Sequence, residues 1–545
     1  MNLRLLLAAG LCAATLLPAG AAPKDCITVA VLSLNDFHGA FIRDARKGIP
    51  GAAAIWQTVD SLKRVYPYHV TVAAGDNFGG SYFSTATDSR LLPVFFNDLG
   101  IRISAVGNHE FDNGTRWLAQ KWAGTDMLPT GWELTYVCAN VADADGQCPA
   151  YMQPFATQEI QLPSGRKLTV AFVGLITSST PQQTRRANIA GLTFNGSYDA
   201  VATTLSRRPG YAAVDSADIR ILLTHIGTKM SSGSPAWHDA DSTHIAAFAD
   251  PRFHAILSAH SHEAVCGRIN GGRYPVVQGE WHGNYIGLIK LTVDTVSMTV
   301  RGSEAELCRV NPDIALGEGP RRLNAQIDSL LRVTKTAGGY PLGRRLTVCR
   351  TPLAHDRTSK YELTEVGGLV CTAYAEAFRR AARTGDDAVV VGASHFGSIR
   401  SGIPAGDVSV LDVGEILPFS NRLVPYRLTG DQLKALVNFG LHNLQYGWLQ
   451  TNGLHIRLDS EGNVSSMEYV TPGGKTIGIK PQDTCYLVAD EFITTGGDGY
   501  APAFFPAGAA VGGCMLPATT DAFIAYLRTL PAVGDGTRHA SVVLP

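Results

Sequence analysis

Seven side chains able to bind a metal stand at the ends of five short apolar runs. The runs read "ITVAVLSLNDFH", "VTVAAGDN", "ISAVGNHE", "IRILLTHIG" and "HAILSAHSH", and the residues are Asp36, His38, Asp76, Asn108, His225, His260 and His262. Imidazole nitrogens, carboxylate oxygens and one amide oxygen make a mixed set that suits zinc, manganese, cobalt or iron better than calcium. One histidine after a strand is more often a hydrogen-bonded side chain than a ligand. Five such runs in succession shift the balance. Seven donors are too many for one tetrahedral ion, but a carboxylate can bridge. Two divalent ions about 3.5 to 4 Å apart would use the set and leave room for water and substrate. Asp36 with His38, and His260 with His262, are spaced i, i+2, which on an extended strand places both side chains on one face.

The turn "GNHEFDNG", Gly107 to Gly114, offers a second chemistry. His109 stands three residues before Asp112, and a carboxylate at that distance would fix the imidazole tautomer and favour its charged form. Such a pair can stabilise a transferring phosphoryl group or protonate a leaving oxygen. The plainer alternative is a His–Asp hydrogen bond that braces a helix start.

To be useful, these residues must be gathered by the elements that carry them. The apolar runs read as buried strands with polar residues at their carboxyl ends, where α/β proteins place ligands. From about Gly343 the pattern changes to alternating helices and strands, with "TEVGGLVCTAYAEAFRRAA", "DAVVVGAS" and "GDQLKALVNFGL". Between the two lies "GPRRLNAQIDSLLRV", where Leu323, Ile327, Leu330 and Leu331 share a helical face. A chain of 545 residues exceeds one core. The expected division is a leader at 1–21, a first domain at 22–310, a linker with a helix at 311–342 and a second α/β domain at 343–545.

Bulk properties narrow the function. A composition of 45% hydrophobic and 17% charged residues describes an ordered globular protein, and a net charge of -1 gives no basic field for a nucleic-acid polymer. "MNLRLLLAAGLCAATLLPAGAAP" reads as a signal peptide ending at Ala19-Gly20-Ala21, with an apolar run shorter than the ~20 residues of a spanning helix. Export to a periplasm or the outside is expected, with no membrane span elsewhere. Cysteines in such a compartment tend to pair. Cys138 with Cys148 is the expected local bridge, and proximity pairs Cys266 with Cys308, Cys349 with Cys371 and Cys485 with Cys514.

The motifs "NDFHGAF", "GDNFGGS", "GNHEFDNG", "LLTHIG" and "AHSH", followed by "SIRSGIPAGDVS", "LPFSNRLV", "LTGDQL" and "TTGGDGY", resemble in order the calcineurin-like metallophosphoesterases of the secreted 5′-nucleotidase family. The resemblance implies a four-layer sandwich of two mixed sheets flanked by helices, then a linker helix and a second α/β domain that binds substrate. It implies that Asp36, His38, Asp76 and His262 hold one metal, and Asp76, Asn108, His225 and His260 the other, with His109 and Asp112 catalytic. In the second domain it implies substrate contacts from Arg400, with Arg357 and Lys360 as companions. Phe419 and Phe492 would sandwich a nucleobase, and Asp498 would lie near the ribose. Ala259 stands where the motif has Gly. In "SHFGSIR", His395 falls where an Asn would contact base or sugar. The implied activity is release of phosphate from nucleoside 5′-monophosphates by hydroxide made available by two cations. The alternatives are a UDP-sugar pyrophosphatase, a 2′,3′-cyclic-nucleotide phosphodiesterase, or an inactive nucleoside-binding protein on the same scaffold.

Overall fold

The computed structural model describes residues 25–122, 133–208, 210–238, 252–356, 358–419, 421–537 and 539–544. The expected signal peptide and Arg357 lie outside these residues.

Cys26–Leu34 alternates Val29 and Val31 with Ala30 and Leu32, and all four are buried. A strand covered on both faces reads as a continuous apolar run for this reason. It occupies the third place in a six-stranded sheet ordered Thr299–Arg309, Tyr285–Asp294, Cys26–Leu34, Tyr68–Ala73, Ile101–Ala105, Thr135–Val137. The last four strands are parallel, and the first two return antiparallel. A second six-stranded sheet is ordered Ala264–Ile269, Tyr274–Gly279, Ala255–Leu257, Ile219–His225, Lys167–Ile176, Phe155–Gln161.

The inner faces meet through Val29, Val31, Val72 and Ile103 from one sheet and Phe172, Ile221, Leu223 and Leu257 from the other. Leu32 and Leu34 face outward onto the helices Ala52–Val65 and Leu92–Leu99, and Val173, Leu222 and Val276 face the helix Tyr198–Leu205. Helix, sheet, sheet, helix gives a four-layer α/β sandwich, and the carboxyl ends of the parallel strands in both sheets converge on one edge.

The helix Glu318–Val333 follows and buries Leu323 and Ile327. Gly319 lets it approach closely, because a Cβ there would stand 2.7 Å from the Trp56 ring on Ala52–Val65. The second α/β domain centres on a four-stranded sheet ordered Leu423–Thr429, Thr484–Asp490, Val389–Ser394, Gln450–Thr451. Val390 and Val488 face the helix Glu365–Ala382, while Val391 and Leu487 face Leu433, Leu436 and Val437 of Gly430–Leu441. Thr364 and Thr429 start these two helices by accepting the backbone N–H groups of Gly367 and Gln432.

The expected disulfides are absent: all nine cysteines from Cys26 to Cys514 are free. Four of the thiols stand beside polar oxygens. Cys138 Sγ lies 3.5 Å from Asn140 Oδ1, Cys148 Sγ 3.8 Å from the Cys138 carbonyl, Cys349 Sγ 3.0 Å from the Thr351 carbonyl and Cys371 Sγ 3.2 Å from the Gln450 carbonyl. Among the described residues no helix is long and apolar enough to cross a membrane.

Candidate active site

Asp36 and His38 do not share a strand face, and neither do His260 and His262. The strand before Asp36 stops at Leu34 and the one before His260 stops at Leu257, so neither pair lies on extended backbone. Asp36, His38, Asp76, His260 and His262 instead all have φ between 46° and 82°. Residues with side chains occupy this left-handed region at a cost, which surrounding contacts must offset. Here the loops hold each other: Asp36 N–H donates to the Gly75 carbonyl at 3.1 Å, and His38 N–H to the Asp76 carbonyl at 2.9 Å.

Those bends bring the side chains together. Asp36, His38, Asp76 and His262 each offer a ligand atom within 4.8 Å of the others, and so do Asp76, His225 and His260, with Asp76 common to both groups. His38 Nε2 faces His262 Nε2 at 3.0 Å, His262 Nε2 lies 3.4 Å from Asp36 Oδ1, and His225 Nε2 lies 3.2 Å from Asp76 Oδ2. Carbonyl oxygens only accept, so His38 Nδ1 must donate to the Phe78 carbonyl at 3.2 Å and His225 Nδ1 to the Ala74 carbonyl at 2.9 Å. That fixes both tautomers with Nε2 turned inward, the arrangement of metal-binding histidines.

The site fits divalent cations on grounds of its own. The buried Asn108 Oδ1 has no hydrogen-bond partner, and buried polar atoms are rarely left so. Burial pushes His38 down to about 3 and His260 to about 4, which keeps their lone pairs available. At His225 burial is overcome by Asp76 and Asp36, which push the imidazole up to about 10. The carboxylates thus draw positive charge into the centre between the loops.

Residues that no motif argument singled out hold this geometry. Glu110 is fully buried, and its carboxylate accepts the N–H groups of Gly107 at 2.6 Å, Asn77 at 2.8 Å and Asp76 at 2.9 Å. It ties the Asp76 loop to the Asn108 loop. Burial, then the nearby Asp76 charge, push Glu110 up to about 7. Asn35 Nδ2 donates to Asp36 Oδ2 at 2.8 Å while Asn35 Oδ1 accepts Gly279 N–H at 2.7 Å. A carboxylate or amide next to a ligand in sequence is the only signal either gave.

His109 Nδ1 lies 2.7 Å from Asp112 Oδ2, and His109 N–H donates to Asp76 Oδ1 at 2.9 Å. Burial lowers the imidazole, but Asp112 and Asp76 more than compensate and hold it up to about 9. His109, Asp112, Asn108 and His260 open on a cleft of about 590 Å³ whose other wall belongs to the second domain. Arg400, Lys360, Phe419, Phe492, Asp498 and His395 all line it. His395 Nδ1 lies 2.8 Å from Asp498 Oδ2, and the Arg400 guanidinium lies 5.7 Å from the centre of the Phe419 ring. Lys360 Nζ donates to the Gln445 carbonyl at 3.2 Å.

Arg185, which no motif marks, also lines the cleft. Its segment is fastened to the metal side, with Thr184 Oγ1 donating to the Asn108 carbonyl and Asn188 Nδ2 to the Asp112 carbonyl. Arg185 itself crosses the cleft and donates to Asn421 Oδ1 in the second domain.

Two family models match separate parts of the chain. Residues 29–264 match the model of the calcineurin-like phosphoesterases, and residues 346–505 match that of the 5′-nucleotidase C-terminal domain. The two matches do not overlap and together span well over half of the chain. The chain belongs to this two-part 5′-nucleotidase family. Endonuclease YhcR of Bacillus subtilis is 23% identical over 87% of this chain, which spans only 38% of that relative's length. Protein UshA of Escherichia coli is 25% identical, covering 87% of this chain and 86% of its own. Among solved structures, a 5′-nucleotidase precursor from Thermus thermophilus superposes with a TM-score of 0.69 at 22% identity, covering 95% of this chain and 99% of that one. The shared fold is that of a metal-dependent phosphoesterase of this family followed by its C-terminal domain.

Proposed function

We propose that this chain is an exported phosphohydrolase that uses two divalent ions to release phosphate from nucleoside 5′-monophosphates. The observation that carries the reading is Asp76, shared by two donor groups, one of which reaches through His260 the cleft that Asn108, His109, two phenylalanines and an arginine also line. Asp36, His38, Asp76 and His262 would hold one ion, and Asp76, Asn108, His225 and His260 the other. Bound there, divalent cations would activate water near neutral pH and offset charge on the phosphoryl oxygens.

The chain's own groups do the rest. His109, kept protonated by Asp112, donates to the departing ester oxygen. Arg400 lines the same cleft as His109 and His395, where it grips phosphate. Phe419 and Phe492 stack the base, a use that explains why a large ring such as Phe419 is 38% exposed inside a cleft. On this reading residues 22–310 carry the chemistry, 343–545 present the nucleoside, and 311–342 join them.

A phosphoanhydride substrate such as UDP-glucose is the second reading, favoured by Arg185, which adds a cation to the cleft wall beyond Arg400 and Lys360. Initial rates on AMP, UDP-glucose and a 2′,3′-cyclic nucleotide separate the cases. The first reading expects AMP to be fastest, and faster turnover of either other substrate would replace it. Binding of nucleosides with no phosphate released under any of manganese, zinc or cobalt would leave only a binding protein.

A further inference from the structure

The aromatic end of the cleft holds an imidazole, that of His395. His395 follows the strand Val389–Ser394, is 7% exposed and lines the cleft with Phe419 and Phe492. Two contacts fix its orientation. Nδ1 lies 2.8 Å from Asp498 Oδ2, and the ring packs on Phe492 at 4.7 Å between centroids, tilted by 30°. A carboxylate accepts, so Nδ1 carries a proton whether the ring is neutral or charged. The state of the ring is therefore written at Nε2 alone. In the neutral ring Nε2 is a lone-pair acceptor, and in the charged ring it is an N–H donor. Among the described residues Nε2 makes no hydrogen bond.

We propose that His395 selects the nucleobase, accepting at Nε2 from a base amino group when the ring is neutral and donating to a base carbonyl when it is protonated. Preference between amino-bearing and oxo-bearing bases then reverses with pH. The inference rests on the nucleotidase reading above and names which nucleotides the site favours.

Three charged groups face His395. Asp498 holds Nδ1. Asp490, at the end of the strand Thr484–Asp490, spends Oδ1 on the N–H groups of Phe492 and Ile493 and leaves the buried Oδ2 without a partner. Arg400 opposes both. Burial lowers the imidazole, but the Asp498 hydrogen bond and the Asp490 and Asp498 charges outweigh burial and Arg400, so His395 titrates above its ordinary value. Lys360 lines the same cleft but is engaged with the Gln445 carbonyl.

AMP and IMP differ at C6, amino in the first and oxo in the second, and at the adjacent N1, a lone pair in the first and an N–H in the second; the expected direction is that of contact at C6. The test is the ratio of kcat/KM for IMP to that for AMP in the full metal-loaded chain, from about pH 5.5 to about pH 8.5, a span that brackets a raised histidine. Titrations at the metal end affect both nucleotides alike and cancel. The ratio is expected to favour IMP at the acid end and to swing about tenfold toward AMP at the alkaline end, the scale of one buried hydrogen bond made or lost. His395→Asn, which offers donor and acceptor at every pH, is expected to give a flat ratio. A flat ratio in the unaltered protein, or the same swing in His395→Asn, overturns the proposal while leaving the nucleotidase reading intact. Failure to hydrolyse either nucleotide overturns both.

Discussion

At the scale of single residues, the proposed function separates groups that would touch substrate from groups that hold others in place. His109 stands between Asp112 and Asp76 and is assigned the proton that the leaving oxygen needs. His109→Ala is expected to keep its metal content, measured by elemental analysis, while kcat falls by roughly 10² to 10⁴, the range of general acid catalysis. Loss of metal together with activity would make His109 a structural residue. Glu110 has the opposite profile, since it reaches no cleft and holds three backbone N–H groups of two ligand loops. In Glu110→Gln one oxygen becomes an NH₂ that faces donors. Stability should fall by about 1 to 3 kcal/mol, the cost of unsatisfied buried donors, with weaker metal retention. A melting curve and metal content unchanged from the parent would remove Glu110 from the account. The clustering of Asp36, His38, Asp76, His225, His260 and His262 was legible in the sequence because each follows an apolar run that forms a strand of one of the two sheets. Glu110 and Arg185 were not, because their roles depend on which loops lie opposite them.

At the scale of elements, the site exists because two sheets present their strand ends at one edge, and the strands must lie close enough to do so. Gly174, in Lys167–Ile176, lets the second sheet touch the first: a Cβ there would stand 2.1 Å from the Val137 carbonyl. That neighbour is backbone and cannot swing away. Gly174→Ala should therefore cost several kcal/mol, more than the roughly 1 to 3 of ordinary overpacking, and a melting temperature within a few degrees of the parent would contradict the close approach. Strand positions were readable because both faces of each sheet are covered, which leaves continuous apolar runs ending in polar residues. The conformation of the ligands was not, since left-handed φ at Asp36, His38, Asp76, His260 and His262 is imposed by hydrogen bonds between loops far apart in sequence. Free thiols at Cys138 and Cys148 show the same limit: ten residues of separation suggested a bridge, while each sulfur has a different polar neighbour.

At the scale of the whole molecule, the two domains share one apolar cluster, and the second caps a helix of the first. Glu415, in the helix Val410–Ile416, accepts the N–H of Tyr82 at 3.0 Å at the start of Tyr82–Ala86, while a Cβ on Gly414 would stand 1.9 Å from the Tyr82 ring. Burial outweighs Lys47 and the donors from Phe83, Tyr82 and Ser81, and pushes Glu415 up to about 6 from 4.5. A carboxyl raised on folding binds more protons folded than unfolded, so its contribution is complete below about 4.5 and is lost as pH rises through about 6. Relative to Glu415→Gln, the parent should lose about 2 kcal/mol across that window and run parallel above it. A constant difference from acid to neutral pH would mean that Glu415 ionises without regard to the interface. The contact lies directly after the Asp76 loop, so the domain junction and the metal centre share one stretch of chain.

The central claim is that Asp76 joins two cations into one phosphate-releasing centre, and counting those cations while assaying phosphate tests it most directly. Protein stripped by a chelator and reloaded with manganese or zinc should bind two ions per chain, and phosphate release from AMP should vanish and return with them. Release that persists after complete stripping, or a reloaded chain that retains no metal at all, would contradict it.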